Sequence, residues 1–156
     1  MSRIRSRGNR DTELVLAKLL RANGITGWRR QIVISVRSSR RKEAQTENRK
    51  SEIGNLKLIG ASSPRLLRVK ADFVFRQVRL ALFVDGCFWH GCPKHATKPA
   101  NNRAFWRRKL AGNKKRDALV TRTLRRAGWR VFRIWEHELA KKNEVRLVRR
   151  IQRQIR

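Results

Sequence analysis

The fold of this chain is decided by residues 80–92, which read LALFVDGCFWHGC. Apolar side chains occupy both the even and the odd positions from Leu80 to Val84. An extended segment that is apolar on both faces is typical of a central strand covered on both sides. We therefore expect this strand to end at Asp85 and to lead, through Gly86, into a loop rich in cysteine and histidine.

The segments on either side of this strand complete an α/β pattern. Periodicity and turn residues predict three further strands, over Trp28–Val36, Leu66–Phe75 and Trp129–Trp135. They predict helices over Arg10–Asn23, Asn102–Ala111, Asn113–Ala127 and a basic tail Glu136–Arg156, with Gly112 separating the middle two. This order of elements indicates an α/β fold with a mixed central sheet flanked by helices.

The chain length suits one domain over residues 1–156. Within it, residues 1–10 are predicted to form a basic arm, and residues 141–156 a basic helical tail. Residues 37–66 are predicted to form a long basic loop or excursion. Loops of this length are usually functional or disordered.

Charge is the strongest compositional signal. The 156 residues include 41 Lys and Arg against 11 Asp and Glu, which gives a formal net charge of +30. Such a charge attracts polyanions and favours nucleic acid as the partner. A merely solvated surface and an anionic membrane surface are the alternatives. No apolar run approaches the length that a membrane span needs, so we expect no membrane partner and a cytoplasmic location.

All the cysteines and histidines lie near the end of the central strand or just after the last predicted strand: Cys87, His90, Cys92, His95 and His137. Zinc prefers four tetrahedral nitrogen and sulfur ligands. Cys87, Cys92 and His95 form a loop half-site that His137 could complete, which would leave His90 free. The alternative interpretation is two buried thiols and surface histidines.

Two acids stand out against the basic background. Asp72 interrupts an apolar strand, where a carboxylate is costly unless it is paired or binds a cation. The short turn at residues 76–78 predicts an antiparallel pair of strands that places Asp72 and Asp85 near the same end. Two such carboxylates suit Mg²⁺, and His90 could act as general base for an attacking water. A salt bridge to an arginine is the alternative for each acid.

Aromatic residues occur among cations at two places, Phe88-Trp89 and Phe105-Trp106. Aromatic side chains in a basic setting suit stacking on bases or wedging between base steps. Core packing is the alternative for Trp89 and Trp106, and it is the favoured interpretation for Trp28, Trp129 and Trp135.

Together these motifs resemble the very short patch repair (Vsr) DNA mismatch endonuclease family. The resemblance rests on residues 71–75 (ADFVF), 83–93 (FVDGCFWHGCP), Phe105-Trp106, Lys109, Asn113, Arg116-Asp117, 128–131 (GWRV) and Trp135-Glu136, with residues 10–13 fitting the family's first helix. Four departures are visible. Asp85 stands where the best-known branch has histidine, and residues 37–66 exceed the family's usual connection. His95 is displaced by one residue relative to the usual third zinc ligand, and Ala71 replaces the proline common before the bridging acid.

This resemblance implies a restriction-endonuclease-like domain that nicks duplex DNA 5′ to the thymine of a T·G mismatch, with catalytic Mg²⁺ and structural Zn²⁺. It implies that Asp72 bridges metal, that His90 is catalytic, and that Glu13, Asp85 and the main chain of Val84 complete the metal surroundings. Cys87, Cys92, His95 and His137 fall at the zinc positions. The implied DNA contacts are Phe88, Trp89, Trp106, Lys109, Asn113 and the arm residues Arg3, Arg5 and Arg7.

The resemblance further implies a monomer that works on double-stranded, mismatched DNA in the bacterial nucleoid, with repair proteins as possible partners. Two alternatives stay open. One is a Vsr-like nuclease with a different DNA target, such as a specific site, damaged DNA or phage DNA. The other is a zinc-stabilised DNA-binding module without catalysis, against which Asp72 and His90 argue.

Overall fold

The computed structural model describes residues 10–37, 66–95 and 101–156. The predicted arm with Arg3, Arg5 and Arg7, and nearly all of the predicted excursion over 37–66, lie outside the described residues. Within the described ranges, no helix is both long enough and apolar enough to cross a membrane.

Seven regular elements and two short 3-10 turns make up the described structure. They are α1 (Arg10–Ala22), β1 (Trp28–Arg37), β2 (Leu66–Phe75), β3 (Leu80–Asp85), α2 (Arg103–Arg126), β4 (Arg130–Trp135), the turns Glu136–Leu139 and Lys141–Asn143, and α3 (Glu144–Ile155). The strands form one sheet in the order β1-β2-β3-β4. The first two pairings are antiparallel and the last is parallel. The predicted mixed sheet with flanking helices is therefore confirmed.

Strand β3 is covered on both sides, as its two apolar faces predicted. Leu80 and Leu82 pack with α1 and α3 in one buried cluster, which also holds Leu16, Leu20, Phe73, Ile134, Leu147 and Ile151. Ala81 and Phe83 pack on the opposite face with Val120 and Leu124 of α2. Burial of this kind contributes roughly 25 cal/mol per Å² of apolar surface. The two clusters therefore hold β3 in place, so the loop that follows it begins at a fixed position.

The alternation of β1 and β2 reverses at one rung of the sheet. Residues two apart in a regular strand share a face, yet Ala71 packs in one cluster and Phe73 in the other. The β1–β2 register is the same on both sides of this point, with Arg30 opposite Phe73 and Ile32 opposite Ala71. Gln31 therefore lies opposite Asp72. Gln31 has φ 55°, a left-handed conformation that costs a non-glycine residue about 1–2 kcal/mol. The strained backbone of Gln31 and the polar side chains of Gln31 and Asp72 thus lie on the same rung of the sheet.

Two secondary-structure predictions were wrong. The two middle helices are one continuous helix, α2, and Gly112 does not interrupt it. A glycine inside a helix costs only about 1 kcal/mol relative to alanine, and the packing of Val120 and Leu124 against the sheet offsets that cost. The predicted tail Glu136–Arg156 begins with the two 3-10 turns and becomes α-helical at Glu144.

Candidate functional site

Asp72 is the focus of an acidic centre, which we define as Glu13, Asp72 and Asp85. Strands β2 and β3 pair from Phe75↔Leu80 to Phe73↔Leu82. Beyond that pair, a side chain replaces the main chain as the hydrogen-bond acceptor: Oδ2 of Asp72 accepts a hydrogen bond from the main-chain N–H of Val84 at 2.8 Å. The carboxylate therefore lies between the separating ends of two strands.

The electrostatics of Asp72 are unfavourable for an ionised acid. Burial raises the pKa of Asp72 to about 6. The Val84 N–H opposes this rise in pKa, whereas the carboxylates of Glu13 and Asp85 add to it. Among the residues that the structure describes, no lysine or arginine forms an ion pair with Asp72. In a chain of net charge +30, a buried acid in this situation is a position at which a cation would be stabilised.

Glu13 reaches the acidic centre from α1 and is itself paired. It is 5 % exposed, and its Oε2 accepts hydrogen bonds from Arg30 at 3.1 Å and from the Gln31 amide at 2.5 Å. Gln31 is the strained residue opposite Asp72. The left-handed turn in β1 thus brings an amide donor to Glu13, at the rung on which Asp72 lies.

Asp85 lies at the end of β3 and is bound by an arginine from the neighbouring strand β4. Arg133 donates through Nε to Oδ2 and through Nη2 to Oδ1, both at 2.6 Å. The sequence left a salt bridge open as the alternative for Asp85, and the structure shows that salt bridge. Asp85 is also 3.7 Å from Nδ1 of His90, measured to Oδ1.

His90 is held by an acid from α2. Its Nδ1 lies 2.5 Å from Oδ2 of Asp117, and Oδ1 of Asp117 lies 3.1 Å from Nη2 of Arg133. Burial alone would raise the pKa of Asp117, but the His90 hydrogen bond and the Arg133 charge together lower it below its ordinary value. Because Asp117 is therefore ionised at neutral pH, Nδ1 of His90 donates and Nε2 is left as the basic atom.

Asp117 and Arg133 were not singled out as site residues from the sequence. Asp117 appeared only as part of a matching motif, and Arg133 is one of 41 basic residues. Their partners lie 27 and 48 positions away along the chain. One signal was present, since Asp117 is an acid within the basic run of α2.

The predicted nitrogen and sulfur ligands come together at the other side of Gly86. We call Cys87, Cys92, His95 and His137 the Cys/His cluster. Their four ligand atoms lie within 4.8 Å of one another, with Nδ1 of His137 3.2 Å from Sγ of Cys87 and 3.6 Å from Sγ of Cys92. Burial and the neighbouring Cys92 thiol raise the pKa of Cys87. Two soft donors and two imidazoles in this space fit a tetrahedral Zn²⁺.

A third group, the aromatic cluster, connects the loop after β3 to the start of α2. Its rings are Phe88, Trp89, Phe105 and Trp106. Phe88 and Trp106 lie 5.2 Å apart between ring centroids and meet edge to face. Phe105 is half exposed. The other predicted tryptophans behave differently, because Trp28 and Trp129 pack against the two cores.

The predicted DNA-contact residues on α2 have different surroundings. Lys109 is exposed. Asn113 is buried, and its Nδ2 donates to the carbonyl of Trp89 at 2.8 Å. This hydrogen bond fixes the loop carrying His90 to the helix carrying Asp117. Asn113 therefore has a structural role in the free protein, and its contact with DNA stays a prediction.

The central segment is similar to known proteins. Residues 63–98 match the family described as DNA mismatch endonuclease Vsr. A nicking enzyme of Lentzea aerocolonigenes, named type II nicking enzyme V.NaeI, is 50 % identical over 72 residues, which cover 46 % of this chain and 43 % of that protein. The DNA mismatch endonuclease Vsr of Escherichia coli (strain K12) is 38 % identical over 68 residues, covering 43 % and 44 %.

A further relative is a type II nicking enzyme, V.NmeDIP, of Neisseria meningitidis serogroup C. It is 42 % identical over 74 residues, covering 46 % of this chain and 50 % of that protein. The chain spans about half the length of the curated relatives it matches. The matched residues 63–98 contain Asp72, Asp85, His90 and three residues of the Cys/His cluster.

Proposed function

We propose, for a chain whose central segment matches the Vsr family, that the protein is an endonuclease that nicks one strand of duplex DNA. The proposed cut lies 5′ to the thymine of a T·G mismatch and requires Mg²⁺. One observation carries this proposal: a buried Asp72 without an ion-pair partner among the described residues lies beside Asp85, which in turn lies 3.7 Å from the His90–Asp117 pair. A surface that only bound phosphate would gain nothing from these acids.

The proposed magnesium site is built on Asp72, with the main chain of Val84 and the carboxylates of Asp85 and Glu13 around it. The fit is supported by the chemistry of the donors, because hard oxygen ligands suit Mg²⁺, and because burial, with a smaller effect of Glu13 and Asp85, raises the pKa of Asp72 to about 6. When bound there, Mg²⁺ would neutralise charge that develops on the transferring phosphate. In this proposal the α/β fold is a restriction-endonuclease-like one.

His90 is proposed to move the proton of the attacking water. Asp117 accepts from Nδ1 and fixes the ring, so Nε2 carries the lone pair that takes the proton. The imidazolium that forms is then stabilised by the ionised Asp117. The His90 side chain is 20 % exposed, which allows a water and a phosphate to approach it.

The Cys/His cluster is proposed to hold a structural Zn²⁺. Its ligands join the loop after β3 to His137 in the turn after β4. Such a link would fix the loop in which His90 lies between Cys87 and Cys92. All four positions are filled by protein ligands, and closed sites of this kind are structural.

DNA binding is proposed to involve the aromatic cluster, the basic arm and the helix α2. Phe88, Trp89 and Trp106 would wedge beside the mismatch, and Lys109 with Asn113 would contact the DNA near it. Arg3, Arg5 and Arg7 would reach across a groove. The net charge of +30 supports a phosphate-dominated affinity that falls with salt. We further propose that the protein is a single domain that acts as a monomer in the cytoplasm, and that repair proteins are among its partners.

A nicking assay tests the proposal directly. The whole chain is incubated with Mg²⁺ and end-labelled duplexes that carry each single mismatch, alongside matched duplexes and duplexes with a candidate damaged base. Nicking restricted to the T·G duplex, on the thymine strand, is the expected result. Nicking of matched or damaged DNA would show that the target is not the T·G mismatch. Binding without cleavage of any duplex would overturn the proposed nuclease activity.

A further inference from the structure

Arg133 joins the two carboxylates that surround His90, and no sequence motif had marked it. We propose that Arg133 is a positioning residue for the nicking reaction, which holds Asp117 in the orientation that presents His90 and withholds Asp85 from the metal. This inference rests on the proposed function for its kinetic consequences, but its structural consequences can be measured without DNA cleavage.

Arg133 and His90 together contact all four carboxylate oxygens of Asp85 and Asp117. Arg133 uses Nε and Nη2 on the two oxygens of Asp85. Nη2 also lies 3.1 Å from Oδ1 of Asp117, while Oδ2 of Asp117 holds Nδ1 of His90 at 2.5 Å. Because Asp117 is held through both oxygens, its carboxylate plane is fixed, and with it the direction of the hydrogen bond to His90.

The surroundings make this arrangement rigid. The side chain of Asp85 is 7 % exposed and that of Arg133 is 24 % exposed. The guanidinium lies 5.3 Å from the ring centroid of Phe83, on the neighbouring strand β3. Arg133 and Asp85 sit on adjacent parallel strands, where Phe83 pairs with Arg133 and Asp85 with Trp135. A planar bidentate contact in this setting cannot be reproduced by a lysine or by water.

The pairing also assigns Asp85 a different task from Asp72. Both Asp85 oxygens accept from Arg133, whereas Asp72 accepts only the Val84 N–H among the described residues. The proposed magnesium site therefore uses Asp72 as its carboxylate ligand, and Asp85 contributes negative charge at its edge. This assignment differs from the expectation from the sequence that Asp72 and Asp85 both coordinate the metal.

A double variant that replaces the Asp85–Arg133 ion pair with neutral side chains distinguishes positioning by Arg133 from simple compensation of the Asp85 charge. In Asp85→Asn with Arg133→Gln, the buried ion pair is removed as a unit and Asp117 keeps its contact with His90, so folding is retained. Because Asp85 itself lies at the edge of the proposed magnesium site, the double variant is compared with Asp85→Asn alone. If Arg133 only compensated Asp85, these two variants would nick at the same rate. We expect instead a single-turnover rate about 10-fold to 100-fold lower in the double variant than in Asp85→Asn, with a DNA dissociation constant unchanged within about twofold, because misorientation slows chemistry without removing a phosphate contact.

Arg133→Lys is the second variant, since it keeps the charge and cannot bridge the two acids. It should fold and show the same loss in rate at an unchanged dissociation constant. A wild-type rate in Arg133→Lys, together with equal rates in the double variant and Asp85→Asn, would overturn the positioning role. A loss of DNA affinity that accounted for all of the lost activity would also overturn it, and would make Arg133 a DNA-contact residue.

Proton NMR at one fixed pH gives a readout that needs no substrate. The N–H that His90 donates to Asp117 should give a low-field resonance in the wild-type protein, and this resonance should shift or disappear in both variants. Glu144→Gln, which changes a charge on α3, should leave it in place. If no duplex is nicked, the proposed nuclease function fails, and the NMR comparison still decides the role of Arg133. An unchanged resonance in folded variants would refute it.

Discussion

The acidic centre and the Cys/His cluster begin at the same strand end and differ in what stabilises them. Asp85 closes β3 and belongs to the first, Gly86 follows, and Cys87 belongs to the second. The acidic centre has carboxylates on α1, β2 and β3. Two of them are paired with arginines, and the third, Asp72, has no arginine partner among the described residues. The Cys/His cluster has soft donors that face one another. Donor chemistry thus separates a proposed magnesium site from a proposed zinc site across one glycine.

The difference also concerns the free energy of folding. The acidic centre costs stability when it is empty, because burial raises the pKa of Asp72 to about 6. The Cys/His cluster is expected to contribute stability when it is filled, because structural zinc binding is coupled to folding. Four changes test the roles of these two sites and of the aromatic cluster beside them, in decreasing order of expected effect.

Cys92→Ala should have the largest effect, because it removes a buried ligand of the Cys/His cluster. We expect the zinc content to fall from one per chain to near zero and the free energy of unfolding to fall by at least about 3 kcal/mol. Lys94→Ala, an exposed change in the same loop, is the control and should alter neither. Plasma emission spectrometry and urea unfolding measure the two quantities. A zinc-free protein of unchanged stability would refute the structural zinc.

Trp106→Ala removes the ring that contacts Phe88, Trp89 and Phe105 in the aromatic cluster. If the cluster stacks on DNA, affinity should weaken by about 1–3 kcal/mol, the range for one base–aromatic stack. Fluorescence anisotropy with a labelled duplex measures this change. Trp129→Phe, which alters a ring packed against the core, is the control and should leave DNA affinity unchanged. Equal affinities of wild type and Trp106→Ala for DNA would show that the aromatic cluster has a packing role only.

Asp72→Asn should stabilise the magnesium-free protein. The pKa of Asp72 is raised to about 6 in the folded state, so ionisation destabilises the fold as pH rises from about 4 to about 6. The variant should therefore match the wild type near pH 4 and exceed it by about 1–3 kcal/mol above pH 6. Thermal unfolding across this pH range measures the difference. Added Mg²⁺ should raise the melting temperature of the wild type only. A stability difference between the two proteins that did not grow between about pH 4 and about pH 6 would contradict the assignment.

Gln31 offers the smallest and most local test, because its φ of 55° is strained for any residue but glycine. Gln31→Gly and Gln31→Ala both remove the amide that contacts Glu13, and only glycine removes the strain. We expect the glycine variant to be more stable than the alanine variant by about 1 kcal/mol. Urea unfolding of the two proteins gives this difference directly. A more stable alanine variant would show that the backbone relaxes at this rung.

The sequence predicted the parts of the fold that depend on local pattern. The two apolar faces of β3, the mixed sheet and the helix α1 follow from the periodicity of their own residues. The short spacing of Cys87, Cys92 and His95 was enough to predict their grouping, and the end of β4 was enough to add His137. These are contacts between neighbours in sequence or between predictable strand ends.

The remaining features depend on contacts that no local pattern encodes. The link from Arg133 to Asp85 and Asp117 requires the β3–β4 register and the position of α2. The reversal of faces at Gln31 and Asp72 requires both strands to change at one rung, which alternation alone cannot predict. At Gly112 a local signal was overruled by the burial of Val120 and Leu124.

The central claim is that Asp72 makes this protein a magnesium-dependent nicking enzyme. The most direct test compares single-turnover nicking by wild type and by Asp72→Asn on a T·G duplex, with and without Mg²⁺, at a protein concentration that saturates the DNA. The account predicts Mg²⁺-dependent nicking by the wild type and a rate at least about a thousandfold lower in the variant, with DNA affinity kept or improved because one negative charge is lost. Equal nicking by the two proteins would contradict the claim.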